Sequence, residues 1–355
     1  MSKHWSRASV AGRGVCALLA AAVAAVGVAM PARAGLEINL IPGPGLQANP
    51  VALDAFRRAA LEWESAISTP IRVNVTADLG TFDDPNIIGA TGYGSENLNL
   101  DYTTVWQKMV ARAGRPGDQI LGYLPDSAHV RAIVPTGATF DNTTIGLTRA
   151  NQKALGLIAS PLTDTVVDGD IKFNQAFTFD YDSRNGVDAD KVDFQTAAAH
   201  ELGHVLGFLS DVDDFDTLGN IKDNATTLDL FRFNKLIKPT TMEEFGILPR
   251  ELRPGEAAFT SDVTNEFPMS TGANLGDGRQ ASHWMDDFIF SSSGIFVGPT
   301  IGIMDPTLDN GVIETVGPAD LRAMELIGYD TPEPGGMALV GVGVVGLLVR
   351  RCRPR

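Results

Sequence analysis

Asp193-Phe194-Gln195-Thr196-Ala197-Ala198-Ala199-His200-Glu201-Leu202-Gly203-His204-Val205-Leu206-Gly207 is the stretch on which the reading of this chain turns. Asp193 has the side chain of a helix N-cap, and an alanine-rich turn follows it, so the sequence predicts a helix from near Asp193 to Gly207. Histidines four apart share one helical face, and His200 and His204 can therefore reach one metal ion. Glu201 projects beside them and can touch a metal-held water without being a ligand. A neutral-imidazole site with an open position suits zinc, which activates water while a carboxylate takes its proton.

A catalytic zinc needs three protein ligands, and this helix supplies two. Three residues past Gly207 stands Ser210, a poor zinc ligand, with Asp211 one position further on. The segment 35–331 holds two other histidines, His129 among loop residues and His283 in Ala281-Ser282-His283-Trp284. His283 and Asp211 are the two candidates for the third ligand, and ligand chemistry favours the imidazole. Trp284 reads as a packing residue. The same segment contains no cysteine, since Cys16 and Cys352 lie near the ends, so neither a disulfide nor a thiolate ligand enters the argument.

Both ends read as address labels. Residues 1–34 carry Lys3, Arg7 and Arg13, then an apolar run from Val15 to Met30, then Ala32-Arg33-Ala34, the pattern of a secretory signal cleaved before Gly35. Residues 332–355 begin Pro332-Glu333-Pro334 and continue through an apolar stretch, Gly335 to Val349, into Arg350-Arg351-Cys352-Arg353. Fifteen apolar residues are marginal for spanning ~30 Å of hydrocarbon, and the basic residues after them would stay in the cytoplasm.

Charge narrows the function further. The whole chain has 28 Lys+Arg against 43 Asp+Glu. Setting aside four basic residues at each end and the single tail acid, Glu333, leaves 20 basic and 42 acidic residues in 35–331. So acidic a body is a poor nucleic-acid binder and a poor electrostatic membrane binder. Its length allows one two-lobed domain or two small ones. Strands are predicted over Leu36–Ile41, Ile71–Val75 and Ile171–Phe179. Helices are predicted over Pro50–Ile67, Thr103–Arg112, Asn151–Ile158 and Pro318–Ile327, with 211–300 irregular. Two acidic loops, one with Asp211, Asp213, Asp214 and Asp216, the other with Asp180, Asp182, Asp188 and Asp190, read first as solvated turns and second as Ca²⁺ sites.

The order H-E-x-x-H-x-x-G, a long insertion, Ser282-His283-Trp284 and then Gly302-Ile303-Met304-Asp305-Pro306 resembles the leishmanolysin-like metzincin zinc proteases. It is closer still to bacterial relatives that end in a PEP-CTERM sorting tail, which residues 332–355 also resemble. The resemblance runs from about Ile171 to Tyr329. It implies an α+β, two-lobed protease: a lobe over 35–210 with a twisted mixed sheet and the zinc-binding helix, and an irregular lobe over 211–331. It implies His283 as third zinc ligand, Met304 as the Met-turn beneath the metal, and Glu201 as general base. Strand Ile171–Phe179 would be the edge that pairs with an extended peptide substrate. The tail implies an exosortase-type sorting enzyme as partner and export to the envelope or extracellular matrix of a Gram-negative bacterium. Membrane contact would come only through the transient tail. Two features of leishmanolysin, its disulfides and its latency cysteine, have no counterpart in 35–331, and no tyrosine near Met304 offers a second oxyanion stabiliser. The competing expectations are an envelope or biofilm-matrix protein with an inert metal site and, lower, a Ca²⁺-dependent adhesin.

Overall fold

The computed structural model describes residues 35–93, 99–161, 163–291, 294–297 and 299–332, so the signal and most of the tail lie outside the described residues. In chain order the main elements are β1 (Glu37–Pro42), α1 (Pro50–Ala66), β2 (Arg72–Gly80), β3 (Gly89–Gly92), β4 (Asn99–Asp101) and α2 (Tyr102–Val110). There follow β5 (Thr139–Gly146), α3 (Arg149–Ala154), β6 (Gly169–Asn174), α4 (Phe194–Leu206), α5 (Val212–Leu218) and β7 (Lys222–Thr226). Beyond these come β8 (Arg232–Asn234), β9 (Ala258–Ser261), β10 (Glu266–Met269) and α6 (Pro318–Ile327).

This is a mixed α+β chain with several small sheets. The largest has the order β1-β2-β6-β3, with β1, β2 and β6 parallel and β3 antiparallel at the edge. A second sheet, β7-β5-β4, is mixed, and β8-β9-β10 is an antiparallel meander. The expected edge strand Ile171–Phe179 is therefore corrected in two ways. Its pairing ends at Asn174, and it is internal, covered on its outer side by β3. Phe179 belongs to a separate two-residue strand that pairs with Val192–Asp193.

The core forms where α1, β6 and α4 meet. Phe173 of β6 lies edge-on to Phe56 of α1, ring centroids 6.0 Å apart, and 4.6 Å from the ring of Phe194, the first residue of α4. Burying three phenylalanines contributes on the order of 2–3 kcal/mol each by area. Trp63 of α1 is fully buried and donates its indole N–H to the Ala199 carbonyl in α4 at 2.8 Å, fixing the two helices in register. This apolar cluster also takes in Trp284, Met304 and the inner face of α6, so the core crosses position 210. α6 is joined to the first half by polar bonds as well. The buried Tyr329 hydroxyl donates to the Leu206 carbonyl at 2.7 Å, and Asn151 donates to the Ile327 carbonyl at 2.6 Å. Irregularity in 211–300 holds only in part, since α5, β7 and the β8–β10 meander lie there.

Candidate metal centre

α4 begins as the sequence predicts. The Asp193 carboxylate accepts the backbone N–H groups of Gln195 and Thr196, at 3.3 and 3.1 Å, and so caps two of the helix's unpaired donors. At its other end Gly207, at φ 120°, reverses the chain. That conformation belongs to glycine, and it folds the Phe208 carbonyl back onto His204, whose Nδ1 donates to it at 2.9 Å.

His200, His204 and His283 converge. Nε2 of His283 lies 3.1 Å from Nε2 of His200 and 3.2 Å from Nε2 of His204. The three Nδ1 atoms face outward, each on a backbone carbonyl: His200 on Ile303 at 2.8 Å, His204 on Phe208 at 2.9 Å, His283 on Gln280 at 3.1 Å. A carbonyl accepts only from N–H, so each ring carries its proton on Nδ1 and turns a lone pair inward from Nε2. Three acceptors facing one another with no proton to share form a donor set for a cation. Their spacing fits: ligands at 2.0–2.1 Å in tetrahedral array stand about 3.3 Å apart. Desolvation by burial pushes the His200 pKa down to about 4 and that of His204 to about 3, the latter helped by the neighbouring His200; it drives His283 well below its usual value too. The trio stays neutral, the form that binds metals. Among the described residues these three imidazoles could hold a metal ion; the competing ligand, Asp211, is not one of the group.

The Met304 side chain is fully buried, and its sulfur fills the place where a side chain on Gly203 would stand. His283 is held by wiring at a distance in sequence. Asp213 accepts the backbone N–H groups of Ala281 and Ser282 at 2.6 and 3.1 Å and the Ser282 hydroxyl at 2.6 Å, immediately before His283. Ser282 Oγ in turn receives the Ser210 N–H at 2.9 Å, while the Ser210 hydroxyl donates to Asp229 at 2.6 Å. Ser210 is thus a brace. The buried Asp320 accepts from the Trp284 indole, from Ile303 N–H and from Gly317 N–H, each at 2.8 Å, so one carboxylate ties His283's neighbour, the turn below the histidines and the start of α6. Trp284 is a packing residue, fully buried against Phe208 with ring centroids 4.7 Å apart.

A cleft of about 850 Å³ opens over the three histidines. Its rim includes Gly89, Ala90 and Thr91 of β3, and its walls include Tyr93, Asp213 and Glu314. Glu201 faces this space, and Thr91 Oγ donates to its Oε2 at 2.7 Å. A Cβ at position 89 would lie 2.7 Å from Glu201 Oε1, so a larger residue there would displace the carboxylate from its present position. Desolvation raises the Glu201 pKa to about 7, with the Thr91 bond pulling the other way. The sequence reading missed β3, Thr91, Tyr93, Asp213 and Asp320. A Gly-Ala-Thr-Gly strand carries no apolar alternation, and a bond between residues 213 and 282 leaves no local signal.

His129 is exposed, with Nδ1 2.6 Å from the Asp126 carboxylate, and belongs to no possible metal group among the described residues. In the loop with Asp180, Asp182, Asp188 and Asp190, three carboxylates are engaged within the loop itself. Asp180 accepts from its own loop's N–H groups, Asp182 pairs with Arg184, and Asp188 pairs with Lys191.

A family model for the PEP-CTERM protein-sorting motif matches residues 330–353. Such a motif implies processing by an exosortase, and an exported, envelope-anchored Gram-negative protein. No protease family model, no curated protein and no solved structure matches the chain.

Proposed function

We propose that the chain is an exported zinc metalloendopeptidase of the metzincin type, with His200, His204 and His283 as ligands and Glu201 as general base. The observation that supports this most is the set of three inward Nε2 lone pairs, each ring locked in one tautomer by a backbone carbonyl, with an uncoordinated carboxylate alongside. A purely structural site has no use for that carboxylate or for a cleft above it. Zinc bound here would polarise a peptide carbonyl and acidify a water. Glu201, with a pKa near 7 in the bare protein, is matched to taking that proton and passing it to the leaving amine. A bound cation lowers the pKa again and favours the carboxylate form.

Substrate selection follows from β3 in place of Ile171–Phe179. β3 is an edge strand of the main sheet among the described residues, lines the cleft and runs antiparallel to β6. An extended peptide adding to this edge gains main-chain hydrogen bonds and lies across the histidines. Met304 under Gly203 sets the floor, so the reading retains the Met-turn, the two-sided arrangement of 35–210 and 211–331 about the cleft, and zinc as the ion.

The test is Glu201→Gln in the zinc-loaded protein, followed by peptide mapping of a mixed substrate digest. Zinc content is expected to hold, because Glu201 is not a ligand, while hydrolysis falls at least ~10²-fold. Near-normal turnover in that variant would overturn the mechanism. A folded, zinc-loaded wild type that cleaves nothing would leave the inert envelope protein as the reading.

A further inference from the structure

Two shielded oxygens without donors meet close to the start of α5. Asn224 of β7 is only 2% exposed; its amide N–H donates to Thr144 Oγ at 2.9 Å, but its Oδ1 receives nothing. Asp211, at the N-terminus of α5, likewise has its Oδ2 shielded from solvent and without a donor. These oxygens point at one hollow over Gly146. A Cβ built there would lie 3.3 Å from Asp211 Oδ2, 3.5 Å from Asn99 Oδ1 and 3.6 Å from Asn224 Oδ1. The carboxylates of Asp214 and Asp223 abut each other near by, and Asp229 adds a further negative charge. Asp229 itself is satisfied, since its two oxygens accept from Ser210, Asp211 and Thr226. The adjacent cation, Lys222, pairs with Asp141 at 2.9 Å. Two buried acceptors without donors, inside a group of like charges, are costly to bury unless positive charge joins them.

The structure assigns this hollow to a calcium ion, with Asp211 Oδ2, Asn224 Oδ1 and Asn99 Oδ1 as side-chain ligands and the Asp214 and Asp223 carboxylates at its rim. The donor set is all oxygen and mixes charged with neutral groups. That favours calcium over zinc, which prefers sites with nitrogen or sulfur ligands, and over magnesium, which demands a regular octahedron. Asn99 is at the surface, so water completes the six to eight ligands calcium takes. Burial and the charges of Asp229, Asp223 and Asp214 drive the Asp211 pKa well above its ordinary value, which records the same shortage of positive charge. The site divides the acidic loop: Asp211 and Asp214 serve the cation, whereas Asp213 holds Ala281–Ser282 and Asp216 accepts from Asn274 and Leu275 N–H. Calcium thereby pins the N-terminus of the helix that positions His283.

The experiment takes the purified protein, depleted of metals and resupplied with zinc. Thermal melting and calorimetric titration are then run with calcium up to about 1 mM, where extracellular calcium modules load. Wild type is expected to bind calcium and melt several degrees higher with it. Asp211→Asn is expected to bind at least tenfold more weakly and lose the shift. Its calcium-free midpoint should equal or exceed that of calcium-free wild type, because a neutral amide replaces an unpaired buried carboxylate. Asn224→Ser provides the second variant and should also bind at least tenfold more weakly. No calcium response in wild type, as expected if Asp211 holds a proton or if the Asn224 amide lies the other way round, overturns the site. An undiminished response in both variants overturns it too, and moves calcium to another group such as Asp286, Asp287 and Asp305.

Discussion

Asp213→Ala should loosen zinc without touching a ligand. Asp213 accepts three hydrogen bonds from the two residues before His283, two of them at 2.6 Å. Bonds to a charged acceptor contribute about 1.5–3 kcal/mol each, so three would sum to at least about 4.5 kcal/mol. Asp213 is half-buried, however, and water can reach some of the donors once the carboxylate is gone. An overall loss of about 2–4 kcal/mol follows, large enough to see and small enough, for a chain of this size, to leave a folded protein. Part of that loss falls on the position of His283, since Ser282 also links to Ser210 and through it to Asp229. Partners that orient a metal-binding histidine are worth 10–100-fold in affinity, and the expected fall in zinc affinity is in that range. The assay is competition against a chromogenic chelator at a temperature well below the melting transition of the variant, beside a melt of the apo protein. A variant that melts lower yet binds zinc within twofold of wild type would refute the argument that this carboxylate sets the third ligand.

Three further outcomes are expected. Gly203→Ala places a methyl group against the Met304 sulfur and Trp63, so overpacking should cost about 1–3 kcal/mol and lower the melting temperature. Glu314, raised from 4.5 to about 8 by desolvation and then by Asp305, Asp287 and Asp320, binds a proton more tightly folded than unfolded. Its contribution is therefore present in full below about pH 4.5 and is lost as pH rises through about 8; Glu314→Gln should flatten that decline in melts taken from pH 5 to 9. Deleting 332–355 should leave zinc content and hydrolysis intact and change only where the protein is found, and a soluble, folded truncation without zinc would show the boundary at Thr331 to be misplaced.

The sequence carried the helix of the metal centre because its chemistry is local. A cap residue, a four-residue histidine spacing and a closing glycine each act within one or two turns, and Asp193, His200, His204 and Gly207 stand where that pattern requires. His283 was legible as a candidate from ligand chemistry and from resemblance, but its path to the helix was not, because the residue that ties its segment down is Asp213, about seventy residues away. The strand error has a definite source. Phe177 and Phe179 continue the apolar alternation of Ile171 and Phe173, but the chain turns at Gln175–Ala176, and alternation does not register a turn between two short strands. The edge was hidden for the opposite reason. β3 needs small residues to let Glu201 approach, and small residues erase the hydrophobic pattern by which strands are read. The acidic loop read as solvated turns because composition cannot distinguish a carboxylate facing water from one that accepts backbone N–H groups.

Asp330 stands two residues before Pro332-Glu333-Pro334, at the first position of the matched sorting motif, and it is fastened in several directions. Its backbone N–H donates to Thr69 Oγ at 2.6 Å, its carbonyl accepts from Ser68 N–H at 2.7 Å, and its carboxylate holds Arg112 and Arg115. For a protein exported on a tether this clamp is a strain relief. A pull on the tail would load these bonds first, at the end of α1, the approach to β2 and the turn after α2. The helix α6, whose Asp320 steadies the turn beneath the three histidines, lies upstream of that fastening. A pull from the sorting machinery, or from the envelope itself, would therefore have to break the Asp330 bonds before it loaded α6.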